Sequence, residues 1–207
     1  MERFDRVAGI AVPFLRINVD TDQITPGPYI MRAYNEGWAV ALFGNWRFDA
    51  DGKPRPDFIL NQEPWQRGTI LLADRNFGCG SSRESAPKAL RAFGFRSVIA
   101  PSFGGIFFNN CFRNGLLPVE LPIESIRTLA GQMEAAGGNA SVAVDLEAER
   151  VTAPDGRTFA FTTPKRLREM LLQGLDEIEY TLSQRAALDA YWRADEARRP
   201  WVYRPGE

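Results

Sequence analysis

The stretch "TILLADRNFGCGSSRESAPKALRAFGFRSVIAPSFGGIFFNNCFRNGLLPVEL", residues 69–121, alternates two kinds of apolar pattern. "TILLAD", "RSVIAP" and "LLPVEL" are short apolar runs that read as strands, while "ESAPKALRAFG" and "GGIFFNNCFRNG" between them read as helices. In the first helix Ala86, Ala89, Leu90 and Phe93 fall at i, i+3, i+4 and i+7, a single apolar stripe, and Gly94 supplies the stop. Strand, helix, strand, helix, strand is the order of α/β layering with an at least partly parallel sheet.

On either side the texture changes. Residues 4–60 are short apolar pieces broken by "VDTDQITPGPY" and "FDADGKPRPDF", which cluster Asp, Pro and Gly as loops do. They read as short strands, a loop, and one short helix near "NEGWAVALF". After residue 122 follow a helix ("IESIRTLAGQMEAAGG"), a β-meander ("SVAVDLEAERVTAPDGRTFAF") turning at Asp155-Gly156, and two helices from about 164 and 180. Residues 1–197 are expected to form one domain and 198–207 a C-terminal tail. Leu188, Tyr191 and Trp192 make a late apolar stripe, expected to dock onto the domain.

Composition excludes whole classes of chemistry. Lys and Arg number 25 against 26 Asp and Glu, so the net charge of -1 offers no electrostatic reason for binding nucleic acid or an anionic membrane. The charged N-terminus and the lack of any apolar run of about 18 residues point to a cytoplasmic protein. Histidine is absent, which removes every histidine-based triad, base and metal ligand from this chain. The two cysteines, Cys79 and Cys111, are too few for the usual four-thiolate cluster or structural zinc site.

Attention therefore falls on "NFGCGSSRESAPKAL", residues 76–90. A proline without strain belongs in the first helical turn, so Pro87 places the helix start around Arg83 or Glu84, with Ser81 and Ser82 just before it. The two hydroxyls and the Gly78 and Gly80 N–H groups would then meet at the positive end of a helix, a site for carboxylate or phosphate. Arg83 occupies the third glycine position of G-x-G-x-x-G, which argues against a dinucleotide loop, and the Gly-Lys-Ser/Thr of a Walker loop is missing. Ser81 to Glu84 also has the S-x-x-E spacing of a capping box, so helix capping stays open beside anion binding. Asp20 and Asp22, spaced D-x-D, read as backbone caps in preference to metal ligands, and Cys79 as small-residue packing in preference to a reactive thiol.

"NFGCGSSRE", followed by "VIAPSF" and "IFFNNCFRNGLLPV" and preceded by "VDTDQITP" and "GNWRF", resembles the small-subunit family of 3-isopropylmalate dehydratase (isopropylmalate isomerase), relatives of the aconitase swivel domain. The resemblance runs from about residue 4 to 190. It implies a β/β/α fold, a mixed sheet flanked by helices, and a hydro-lyase of leucine biosynthesis working as a heterodimer. No cofactor is then expected in this chain, because the [4Fe-4S] cluster of the family lies in a separate large subunit. Carried over to this sequence, the motif makes Ser81 the catalytic base, with Ser82 and Arg83 binding a carboxylate of a small branched dicarboxylate substrate. The segment "GPYIMRAYNE", residues 27–36, resembles the substrate-choice loop: Arg32 would be a second carboxylate clamp, and Tyr29, Ile30 and Met31 would line the pocket for the alkyl group. The alternative for these four is core packing with a solvated arginine. One departure stands out, since Ser85 and Lys88 occupy positions where many relatives carry His and Trp. It leaves room for a related hydro-lyase acting on citramalate, dimethylmaleate or homoaconitate, and for a non-catalytic binding or regulatory swivel domain.

Overall fold

The computed structural model describes residues 1–203. Four short strands, β2 (Ala11–Phe14), β3 (Ile70–Ala73), β4 (Ser97–Ala100) and β5 (Leu117–Glu120), pair in that order and all in parallel. Almost every residue in them is buried, as it must be when both faces of a sheet are covered. Side chains alternate between the faces. Leu71, Ala73 and Val98 point into one core, shared with Ala86, Ala89 and Leu90 of α4 (Ser85–Phe93) and with Phe107 and Cys111 of α5 (Gly105–Arg113). Ile70, Leu72 and Ile99 point into a second core with α6 (Ile123–Ala135) and a second sheet.

That second sheet is antiparallel, in the order β1 (Arg6–Gly9), β6 (Val142–Asp145), β7 (Arg150–Thr152), β8 (Thr158–Ala160). Val142 and Val144 are buried on its inner face and alternate with half-buried Ala143 and Asp145. Two sheets and a helical layer give the β/β/α arrangement, with the parallel and antiparallel pairings divided between the sheets.

Local readings fail in two places. Residues 27–36 form a helix, α2 (Gly27–Glu36), after the single turn α1 (Thr21–Ile24), where a loop was expected. Pro26-Gly27-Pro28 has loop chemistry, yet Pro26 serves as the N-cap residue and Pro28 sits in the first turn, where no helical N–H is lost. A short helix, α3 (Gly44–Arg47), then follows a 3₁₀ turn at Trp38–Ala41. At the C-terminal end four helices replace the expected two: α7 (Lys165–Gln173), α8 (Glu177–Ser183), α9 (Arg185–Arg198) and α10 (Pro200–Tyr203).

The chain divides into compact units at Gly174, where a boundary was expected near 197. The second unit, from Leu175, is helical. Asp176 opens α8 with a full capping box, and Asp195, only 2% exposed, holds Arg198, Arg199 and the Tyr203 hydroxyl together. Of the expected tail, Arg198 ends α9, Arg199 is its C-cap residue and Pro200–Tyr203 form α10, while 204–207 lie outside the described residues. Of the late stripe, Leu188 is half-buried and Tyr191 and Trp192 are exposed. Among the described residues no helix is long and apolar enough to cross a membrane.

Candidate functional site

Open parallel sheets bind ligands outside the carboxyl ends of their strands, and here three loops meet at that edge: 15–20 after β2, 74–84 after β3 and 101–104 after β4. Backbone hydrogen bonds stitch them together. Gly78 N–H donates to Val19 O (2.7 Å), Thr21 N–H to Cys79 O (2.9 Å), Phe77 N–H to Ser102 O (3.1 Å) and Gly104 N–H to Phe77 O (2.9 Å). Asn18 and Asn76 adopt left-handed φ values of 54° and 60° and bond to each other through their side chains (2.9 Å). Asparagine tolerates that region better than other side chains. A Cβ on Gly78 would run into the ring of Phe107, so the loop can lie this close to α5 only with glycine there.

On this frame the Gly-Ser-Ser-Arg segment is held by its backbone and leaves its hydroxyls free. The Thr21 hydroxyl donates to Ser81 O (2.8 Å), while Ser81 and Ser82 are exposed, with no hydrogen bond to either hydroxyl among the described residues. Ser81 is not a helix cap. The N-cap position of α4 falls to Glu84 without a side-chain bond, because the turn through Gly80 (φ 91°) and the grip on the Ser81 carbonyl set both serines ahead of the helix. The α4 N-terminus therefore keeps its partial positive charge beside them.

Arg83 is fixed from two sides. Its Nη1 donates to Thr25 O (3.1 Å) and its Nη2 pairs with Asp22 (2.5 Å). A guanidinium has five N–H donors, so most of them remain for a carboxylate. Asp20 caps α1 as expected, accepting from Gln23 N–H (2.6 Å) while the Gln23 side chain accepts from Asp20 N–H (2.9 Å). Its neighbour Asp22 has a role that the sequence reading missed, as counter-ion to Arg83. Thr21 and Thr25 were also missed. Both are buried, one holding Ser81 and the other bonding the Ser85 hydroxyl (2.9 Å), and buried threonines flanking an acid in "TDQIT" are the signal that they left. Ser85 and Lys88 thus have local partners, the latter in an ion pair with Glu84 (3.0 Å).

Of the residues expected to choose the substrate, Tyr29 packs inward, stacked on Phe48 (5.8 Å) and pressed against Gly44, whose missing Cβ makes the room. Ile30 is half-buried and Met31 is 69% exposed. Arg32 holds Glu36 in a two-pronged pair (2.8 and 3.0 Å) and lies over the Tyr29 ring. An exposed i,i+4 pair of this kind is worth only about 0.3–0.5 kcal/mol, so Glu36 holds the Arg32 guanidinium weakly. Thr25, directly before the Pro26 cap of α2, ties the start of this helix to Arg83.

The cysteines are poor ligands here. Burial and, after it, the charge of Asp20 raise the Cys79 thiol pKa above its ordinary value, and burial in the core raises that of Cys111 further. Among the described residues no three Cys, Asp or Glu side chains come together as a metal site.

The fold and this loop place the protein among aconitase-type C-terminal domains. The family model for the aconitase C-terminal domain matches residues 1–124, and a second model, LeuD_N, matches 127–163. The 3-isopropylmalate dehydratase small subunit of Cupriavidus necator is 48% identical over the whole of both chains, and that of Rhodospirillum centenum is 47% identical over 98% of this chain and 99% of its own. A crystal structure of 3-isopropylmalate dehydratase from Methanocaldococcus jannaschii superposes with a TM-score of 0.61 at 28% identity, covering 90% of this chain and 98% of its own. The chain belongs to the 3-isopropylmalate dehydratase small-subunit family.

Proposed function

We propose that this chain is the substrate-gripping small subunit of a hydro-lyase that interconverts 2-isopropylmalate and 3-isopropylmalate in leucine biosynthesis, paired with a large subunit that carries a [4Fe-4S] cluster. The carrying observation is the pair of free hydroxyls, Ser81 and Ser82, on a backbone-locked loop beside an Arg83 guanidinium that Asp22 and Thr25 hold in place. Moving a hydroxyl between adjacent carbons requires taking a proton next to a carboxylate and releasing hydroxide. The second step needs a Lewis acid, and the thiols of this chain do not fit a cluster, so that part is assigned to the partner.

The first step is assigned to this chain. Ser81 takes the proton, and its alkoxide form is stabilised by the Arg83 charge and the α4 N-terminus, without which a serine is a feeble base. Ser82 and the remaining Arg83 N–H groups hold the adjacent carboxylate as it gains charge. Arg32 takes the second carboxylate when it lets go of Glu36.

Reconstitution tests this reading. The purified chain alone is expected to bind no iron and to show no turnover, and activity should appear on mixing with the cluster-loaded large subunit. Stoichiometric iron in the isolated chain, or turnover without a partner, overturns it. The same complex tests substrate choice, for which α2 offers Ile30 and Met31. Replacing both by alanine is expected to change the kcat/KM ratio between isopropyl- and methyl-substituted malates by about tenfold or more, the scale of one to two methylenes in a pocket. An unchanged ratio puts the alkyl pocket elsewhere.

A further inference from the structure

Beside the catalytic loop lies a cavity of about 480 Å³ that the proposed chemistry does not use, lined by Phe103, Gly105, Phe108, Asn109, Glu120, Thr162 and Pro164. Its walls are aromatic, the Phe103 and Phe108 rings lying 6.0 Å apart and tilted at 49°. Among the described residues Glu120 is its only ionisable lining residue. That carboxylate ends β5, is exposed, and has no ion pair among the described residues. The Asn109 amide nitrogen donates to Gly105 O (3.0 Å), which leaves its oxygen as a second acceptor. The positive end of α5 borders the cavity at Gly105, but the partial charge of about +0.5 there is smaller than the full charge of Glu120.

Two aromatic rings, a carboxylate and an amide oxygen are surroundings that suit a guanidinium or ammonium. The cavity also adjoins the loop that carries Ser81, since Gly104, next to lining residues Phe103 and Gly105, lies against the Gly78 and Cys79 backbone. Phe103 pairs with Phe77 across the β4–α5 and β3–α4 loops, and Ile106, 54% exposed, stands on the first turn of α5. We propose that this cavity seats a basic side chain of the large subunit and so registers the two subunits around the catalytic loop. The inference rests on the reading of the chain as a small subunit.

The test is a titration of the large subunit with wild-type chain, Glu120→Gln and Glu120→Lys, reading Kd, its salt dependence, and kcat at saturation. Both variants should melt with the wild type, since the side chain is exposed. Removing the charge is expected to weaken association about tenfold and reversing it about 100-fold, with kcat at saturation unchanged and a shallower salt dependence for Glu120→Gln. Unchanged Kd in both variants overturns the proposal while leaving the subunit assignment intact. A fall in kcat at unchanged Kd overturns it too, because the cavity would then belong to the substrate path. If the wild-type chain itself does not bind the large subunit, the functional reading falls and this one with it.

Discussion

Ser81→Ala is expected to lower kcat of the assembled enzyme by about 10²- to 10⁴-fold while leaving the melting temperature almost unmoved. The range is that of losing a positioned base, or about 3–5 kcal/mol of barrier. Stability is spared because the Ser81 hydroxyl is exposed and bonds nothing among the described residues; the loop is held through the Ser81 carbonyl, which alanine keeps. A helix cap would behave in the opposite way, with about 1 kcal/mol lost on folding and chemistry only indirectly disturbed. Arg83→Lys serves as the control. A point charge on a flexible stem cannot hold Asp22, Thr25 and a carboxylate at once, so KM should rise while the base remains in place. Near-full turnover in Ser81→Ala would assign the proton to a group on the partner subunit.

Gly104→Ala should damage both stability and turnover, although Gly104 touches no substrate. Its backbone, φ -62° and ψ 129°, suits any residue, so conformation is not the obstacle. Space is. An added Cβ would lie 2.9 Å from the Gly78 carbonyl carbon, closer still to its oxygen, and 3.0 Å from the Cys79 Cα. All three are backbone atoms, and no rotamer change relieves them. The β3–α4 and β4–α5 loops must separate, at a cost of about 1–3 kcal/mol, as in overpacked cores. Ser81 would shift with the backbone two residues before it, and a displacement on the order of 1 Å in a catalytic group is worth about 10²-fold in rate. Gly105→Ala is the matched control: nothing lies within 4 Å of its Cβ, and the expected change is within about 0.5 kcal/mol. Equal behaviour of the two variants, by melting and by kcat, would mean that the contact between the loops does not hold the site in register.

The sequence by itself determined the alternation of strands and helices over 69–121, the Gly94 stop, the meander and the Asp20 cap, because each is written in neighbouring residues: apolar runs, a helical stripe, turn chemistry. Its lack of histidine removed imidazole chemistry from this chain, and the family resemblance of the Gly-Ser-Ser-Arg motif directed attention to that loop. Only the tertiary structure decided what that loop does with its parts. Whether Ser81 capped α4 or stood free depended on Thr21, 60 residues earlier, taking its carbonyl. Arg83 acquired Asp22 as counter-ion, and Ser85 acquired Thr25, through the same long-range meeting of the β2–α1 and β3–α4 connections. Residues 27–36 show the same limit locally, because Pro-Gly-Pro serves a loop and a helix start equally well, and packing of Tyr29 against Gly44 and Phe48 accompanies the helical choice. Hydrogen bonds between distant loops carry no periodic signature; they exist only once parallel pairing has brought the carboxyl ends of β2, β3 and β4 to one edge of the sheet.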